Sequence, residues 1–241
     1  MSQPLYVTGL DLGQANDPSA LAVAEVTEKG GKHVYTFRHL HRWHLGTGYP
    51  QIVEHVRGLF ARPPLAGSAL WVDATGVGRA VVDLFRSGGI DARLQAVTIT
   101  GGNVATRVKG GFNVPKKDLV AALLAVMGTR RIVVANALPL AQTLRKELLQ
   151  FRVKVRADTG HETYEALCEA DHDDLVLACA LTVWSVERSV PAGTVRAYSV
   201  NGRKQRQVRI AVCSLDELDT QVNVGRHKLR TKHPAGWRYG G

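Results

Sequence analysis

The sequence has no uninterrupted apolar run near the ~20 residues that a membrane-spanning helix requires. Its opening, MSQPLYVTGLDLG, lacks the basic segment and following apolar stretch that mark a secreted chain. Cysteine is scarce: Cys168, Cys179 and Cys213 form an odd, scattered set without a Cys-x-x-Cys pair. A disulfide framework and a thiolate zinc site are therefore not expected, and a reducing cytoplasm is. Internal repeats and low-complexity linkers are also missing. Acid is in short supply, with 21 Asp+Glu against 31 Lys+Arg in 241 residues and a net charge of +10. What remains is an ordinary globular composition, 45% hydrophobic and 22% charged, in a chain long enough to bury a core without staples.

The positive charge is unevenly spread. Residues 190–241 hold ten basic and three acidic residues, net +7, whereas the first 189 are nearly balanced. A basic segment beside a balanced body predicts a polyanion partner, most often nucleic acid, with a solubilising tail as the alternative. The chain thus reads as a body of residues 1–189 and a basic C-terminal extension of residues 190–241. In the extension, Val195–Val200 and Gln207–Val212 flank Asn201-Gly202 as a candidate hairpin. A loose tail follows, where Trp237 and Tyr239 suit base stacking or docking on a protein.

Hydrophobic patterning places the elements of the body. Leu5–Leu12 reads as a buried strand, and Leu21–Val26 and His33–Leu40 follow across the short turn at Lys29–Lys32, which predicts an antiparallel trio. A helix opens at Tyr49-Pro50 and ends before Pro63-Pro64. Next come a strand at Ala69–Asp73, a helix through Val81 and Phe85, and a strand at Leu94–Ile99. A helix starts at Pro115, followed by a strand at Arg131–Ala135, a helix at Leu138–Leu149, a strand at Phe151–Arg156 and a helix at Asp173–Glu187. An antiparallel trio followed by alternating helices and strands predicts an α/β fold, with a mixed central sheet flanked by helices and its later strands parallel.

Aspartates stand where they are costly. Asp11 lies inside one apolar strand pattern and Asp73 ends another, and a buried carboxylate is penalised unless paired or bound to a cation. Between Ala157 and Asp174 there are seven acidic residues and no Lys or Arg, a local reversal of sign that calls for solvent or a cation. Asp171, Asp173 and Asp174 stand at the entry to the last helix. A carboxylate cluster of this kind suits hard divalent cations, Mg²⁺ or Mn²⁺. Two such ions, ~3.5–4 Å apart, clamp a phosphodiester during hydrolysis. The structural alternatives are an Asp171 N-cap with acids in the first helical turn, and an Asp73 that seeds a turn. His39 and His41, with His44 nearby, share one strand face but lack a third ligand, and a strand-edge surface is expected there. His161 and His172 in the acidic segment suit loop hydrogen bonds or proton transfer.

Four segments carry a resemblance. Gly9-Leu10-Asp11-Leu12-Gly13-Gln14, with Asn16-Asp17-Pro18-Ser19-Ala20-Leu21-Ala22-Val23, resembles the opening of the nuclease domain of tailed-phage terminase large subunits. Val72-Asp73-Ala74-Thr75-Gly76-Val77-Gly78 resembles that family's second acidic motif. Val114-Pro115-Lys116-Lys117-Asp118-Leu119-Val120 and His172-Asp173-Asp174-Leu175-Val176-Leu177-Ala178 resemble two more, and all occur in the family's order between about Leu5 and Arg188. The resemblance implies an RNase H-like fold and a metal-dependent endonuclease that cuts concatemeric viral DNA with little sequence preference. Carried over by residue, Asp11, Asp73 and Asp173 or Asp174 are the catalytic metal ligands of a two-cation site. The implied partners are double-stranded DNA and a separate packaging ATPase, small terminase or portal protein, in the host cytoplasm. A resolvase of the same superfamily and a non-catalytic binding module are the alternatives. The phosphate loop G-x-x-x-x-G-K-[ST] of a packaging motor is not found in this sequence. The expectation is either an excised nuclease domain or a relative whose motor is another chain.

Cations near the third motif suit the DNA path. Lys116 and Lys117 follow Pro115 at the positive end of a helix dipole, where a bound phosphate would relieve the conflict. Arg107, Lys109 and Gly110-Gly111 precede them as an expected flexible loop on the DNA backbone. Exchanging Lys116 and Lys117 for alanine is predicted to weaken DNA binding and flatten its dependence on salt, which a salt titration checks.

Overall fold

Alternation with a period of two organises the middle of the molecule. The computed structural model describes residues 5–13, 17–76, 78–155, 162–166 and 173–188. Strands β1 (Leu5–Asp11), β2 (Ala20–Lys29) and β3 (Lys32–Arg42) form the expected antiparallel meander. Helix α1 (Tyr49–Phe60) follows, then β4 (Ala69–Asp73), α2 (Gly78–Ser87), β5 (Arg93–Thr100), β6 (Thr106–Val108), β7 (Gly111–Pro115) and α3 (Lys116–Gly128). After these come β8 (Ile132–Val134), α4 (Ala141–Gln150), β9 (Phe151–Val155), β10 (Glu162–Ala166) and α5 (Asp174–Glu187). Eight strands form one sheet in the order β6-β7-β5-β4-β1-β2-β3-β8, and β9 and β10 form a separate antiparallel pair. Neighbours β1/β4, β4/β5, β5/β7 and β3/β8 run parallel, while β6 is antiparallel to β7. The mixed sheet expected from the sequence is present. Among the described residues no helix is long and apolar enough to cross a membrane.

Each face of the sheet carries its own apolar layer. Val7, Ala22, Ala24, Trp71 and Val97 pack with the apolar residues of α3 and α5. Leu10, Leu21, Val23, Leu70 and Val72 point the other way and pack with those of α1 and α2. Every residue of α5 from Asp174 to Val186 is buried, as expected of a helix that is apolar all round. Burial of each of its large side chains, such as Leu175 or Leu181, contributes about 1.5–3 kcal/mol. The helix lies directly on the sheet because the strands beneath it are built from small residues. A Cβ on Gly9 would stand 2.1 Å from the Ala178 carbonyl oxygen and 2.6 Å from Thr182 Oγ1. The close approach, rather than any unusual backbone angle, requires glycine there.

The far end of α5 is fastened by charge. Glu187 accepts from Arg131 Nη1 at 2.7 Å and Nη2 at 3.3 Å, and from the Tyr35 hydroxyl at 2.8 Å. Arg188, just past the helix, stacks its guanidinium 4.6 Å from the Trp71 ring centre and 4.5 Å from that of Phe112.

Three local expectations change. The segment holding Arg107 and Lys109 is not a loop throughout, because Thr106–Val108 pairs with Gly111–Asn113 as a hairpin. Three residues are too few to display a period. Pro115 closes β7 and stands at the N-cap of α3, so Lys116 is the first helical residue. The strand expected at Phe151–Arg156 is β9, but its partner is β10 and not the main sheet. The basic extension with its candidate hairpin, and Asp171, His161, His172, Trp237 and Tyr239, lie outside the described residues.

Candidate active site

Asp11 is the last residue of β1 and Asp73 the last of β4. The two strands are parallel neighbours, with Gly9 opposite Trp71 and Leu10 opposite Val72. One further step of that register sets Asp11 beside Asp73. Counting by twos from Val7 and Trp71 puts both on the face covered by α5. Asp174, the first residue of α5, brings a third carboxylate into electrostatic range of Asp11. Asp11, Asp73 and Asp174 are only 7%, 6% and 3% exposed. The Asp173 side chain, one residue earlier, is more open at 23%.

Crowding shifts these acids. Burial pushes the Asp11 carboxyl well above its ordinary range, and the charges of Asp73, Asp174 and Asp173 and a hydrogen bond with Asp73 add to it. Burial also raises Asp73, against hydrogen bonds with Thr75 and Asp11 and the charge of Lys116. Asp11 and Asp73 are close enough for the ionisation of each to oppose that of the other, so they titrate as a pair. The turn after β4 orients this pair. The Thr75 N–H donates to Asp73 Oδ1 at 2.8 Å, Thr75 Oγ1 accepts from the Ile99 N–H at 2.6 Å, and Gly76 supplies a φ of +74°.

The other two aspartates face cations. Lys116 Nζ donates to Asp173 Oδ2 at 3.1 Å. Arg42, at the end of β3, places Nη2 3.4 Å from Asp174 Oδ2 and bonds more closely to Glu147 Oε1. The second oxygen of Glu147 accepts the N–H groups of Leu175 at 3.1 Å and Val176 at 3.3 Å. Asp173 occupies the N-cap position of α5 without a capping side-chain hydrogen bond. Glu147, from α4, thus supplies the acceptor that the first turn of α5 lacks. Burial raises the Glu147 carboxyl to about 7, against the charge and hydrogen bond of Arg42.

Of the aspartates singled out in the sequence, Asp73, Asp173 and Asp174 lie within electrostatic range of Asp11 here, with Lys116 beside Asp173. Glu147 and Arg42 do not stand out in the sequence. The available signal was Glu147 on the apolar stripe of α4, three residues after Leu144 and next to Leu148. Lys117 turns away and bonds Asn103 Oδ1 at 2.7 Å. Arg107 and Lys109 lie at the other end of β7, where they join Arg86 around a pocket of about 360 Å³ floored by Gly110 and Gly111.

The histidines are not a plain strand-edge surface. His39 and His41 stack with ring centres 6.1 Å apart, and His41 meets His55 edge-on at 4.6 Å beside Trp43. Burial lowers all three, His41 to about 4, so they are neutral near pH 7. Among the described residues no group of three or more His, Cys, Asp or Glu closes around a metal ion as the side chains stand. At the aspartates, among the described residues, Arg42 and Lys116 offset part of the negative charge. The donor set itself, buried carboxylate oxygens that repel one another, fits a hard divalent cation rather than a soft one.

No family model matches the sequence, and no curated protein matches it. Solved structures do. The large terminase nuclease from thermophilic phage G20c matches with a TM-score of 0.55 at 22% identity, over 75% of this chain and 81% of that one. The same nuclease with bound zinc matches with a TM-score of 0.50 at 20% identity, over 75% and 80%. The large terminase of bacteriophage HK97 matches with a TM-score of 0.50 at 14% identity, over 76% of this chain and 40% of the HK97 chain. The likeness at these identities is one of fold, shared with a large-terminase nuclease.

Proposed function

We propose that the chain is a terminase-type endonuclease that hydrolyses the phosphodiester backbone of DNA with divalent cations. One observation carries the reading: Asp11, Asp73 and Asp174, from three separate elements, are all buried, with Asp73 and Asp174 both within electrostatic range of Asp11. Two ions, Mg²⁺ or Mn²⁺, would be held by the carboxylates of Asp11, Asp73, Asp173 and Asp174. Bound there, they would activate the attacking water and stabilise the departing 3′ oxygen.

The chain's own groups prepare the site. The Thr75 turn holds Asp73 in one orientation, and Glu147 fixes the first turn of α5. Lys116 stands at the rim as a cation for a backbone phosphate. The pocket of Arg86, Arg107 and Lys109 offers a second phosphate contact. It is separated from Lys116 by the five residues of β7, roughly 16 Å of strand. That distance spans about five base pairs of duplex rise. The substrate would be concatemeric viral DNA, delivered by a packaging ATPase, small terminase or portal protein. The basic residues 190–241 would add contacts to DNA or to such a partner.

Asp11→Asn is expected to cut Mn²⁺-dependent nicking of supercoiled plasmid by at least about 100-fold. Circular dichroism and a cooperative melt should show the variant folded. Undiminished cleavage by that purified, folded variant would place the chemistry elsewhere.

A further inference from the structure

We propose that Arg188 and Arg107 together form a two-guanidinium clamp for one backbone phosphate of DNA, at the end of α5 away from the aspartates. The choice of DNA among polyanions rests on the nuclease reading; the anion site itself rests on geometry. Trp71, Phe112 and Trp184 come from β4, β7 and α5. The Trp71 and Phe112 ring centres are 5.5 Å apart, and that of Trp184 stands 6.0 Å from each. The Arg188 guanidinium caps this platform, 4.6 Å from the Trp71 ring centre, 4.5 Å from that of Phe112 and 5.7 Å from that of Trp184. Stacking of this kind fixes the plane of the group, while Arg188 stays exposed.

Arg107 reaches the same place from the edge of the sheet. It stands directly opposite Phe112 in the β6/β7 pairing, so the two side chains leave the same face. Arg107 is exposed too, and its charge adds to burial in lowering the Arg188 guanidinium. Among the described residues neither arginine makes an ion pair. The acid next in sequence, Glu187, is taken by Arg131 and Tyr35. Two guanidiniums held together without a counter-charge repel, and an anion between them removes the repulsion. Their planar N–H forks match the paired oxygens of a phosphodiester. Arg86 and Lys109 share the pocket that Arg107 lines, so neighbouring phosphates would also meet cations. With 14 residues in α5, the clamp lies roughly 20 Å from Asp174, about six base pairs of duplex rise.

Fluorescence anisotropy of a labelled duplex, titrated with the full-length protein in EDTA over a range of salt, tests this without any cleavage. Arg107→Gln and Arg188→Gln are each expected to weaken binding roughly fivefold and to flatten the slope of log affinity against log salt by about one. Because both side chains grip one phosphate, the double variant should bind little worse than either single variant, whereas two separate contacts would multiply their losses. Arg188→Lys keeps the charge but not the flat stack, and should bind clearly worse than the native chain. Should the Arg188 variants fail to fold, Arg107→Gln, at an exposed hairpin position, carries the test alone. Native DNA affinity in a folded Arg107→Gln or Arg188→Gln variant, or losses that multiply, overturns the inference; so does native affinity in Arg188→Lys. Each of these outcomes leaves the nicking expected of Asp11→Asn untouched. A native chain that grips DNA through the clamp yet nicks nothing sinks the nuclease reading alone.

Discussion

The two ends of α5 hold acids in opposite circumstances. At the C-terminal end Glu187 meets Arg131 through both carboxylate oxygens and accepts the Tyr35 hydroxyl. Burial alone would raise it, but those hydrogen bonds and the Arg131 charge outweigh burial and hold it below its usual range. An acid in the last turn also opposes the helix dipole, and Arg131 offsets that too. At the N-terminal end, Asp11, Asp73 and Glu147 are all raised, with burial the first cause in each. Among the described residues, five acids there, Asp11, Asp73, Glu147, Asp173 and Asp174, stand against the cations Arg42 and Lys116. One end spends its charges on fastening the helix to β3 and β8. The other accumulates like charge, which weakens the fold and is tolerated where chemistry calls for it.

The sharpest way to break this contrast is at the closed end. Glu187→Ala would leave Arg131, which is only 14% exposed, with the His33 carbonyl and the Thr129 hydroxyl but no counter-charge from Glu187, and should cost about 2 kcal/mol, less than a fully buried pair because Glu187 is partly open. Urea unfolding measures it, and nicking per folded molecule should be unchanged. A loss near zero would mean that the Arg131 pair does not fasten the helix. At the open end the sign should reverse. Asp11→Asn removes an acid whose ionisation is opposed by burial and by its neighbours, and should stabilise the cation-free protein by about 1 kcal/mol, even as cleavage is lost. A lower melting temperature in EDTA would contradict that account.

The pH response separates the ends more gently. The Glu147 carboxyl is raised to about 7 from an ordinary 4.5, so folding favours its neutral form. Its contribution to stability is complete below 4.5 and declines as pH rises toward 7. Glu187 is lowered, so its contribution is present above the ordinary value of 4.5 and is lost as pH falls through its folded value. Between pH 7.5 and 5.5 the raised Glu147 favours the folded, cation-free protein as pH falls, while the lowered His39, His41 and His55 work against it. Melting in EDTA isolates the two acids: relative to the native chain, Glu147→Gln should lose the gain between pH 7.5 and 5.5, and Glu187→Gln should lose the fall near pH 3. Slopes unchanged by either exchange would refute the assignment.

Much of the site was legible from local cost. Asp11 and Asp73 attract notice because an acid inside or ending an apolar strand needs a reason, and Asp173-Asp174 because the surrounding segment reverses the sign of the chain. Lys116 was legible as a cation out of place at a helix start, but its neighbour proved to be Asp173. Glu147 and Arg42 were not legible as a pair, since 105 residues separate them and neither violates a strong local rule. The histidines misled for the same reason: their burial depends on α1 packing across β3, through His55.

The order of strands and helices, and which residues of each strand share a face, were decided by the sequence alone. Pleating and helical periodicity are properties of a few consecutive residues and need no distant partner. Alternation thus already put Asp11 and Asp73 on the ends of their strands. Which cation answers which acid was decided only when α4 and α5 docked on the sheet, through the small residues of β2 and the bare Cα of Gly9. Charge interactions are set by distance and by exclusion of water, and neither exists until the chain has closed on itself.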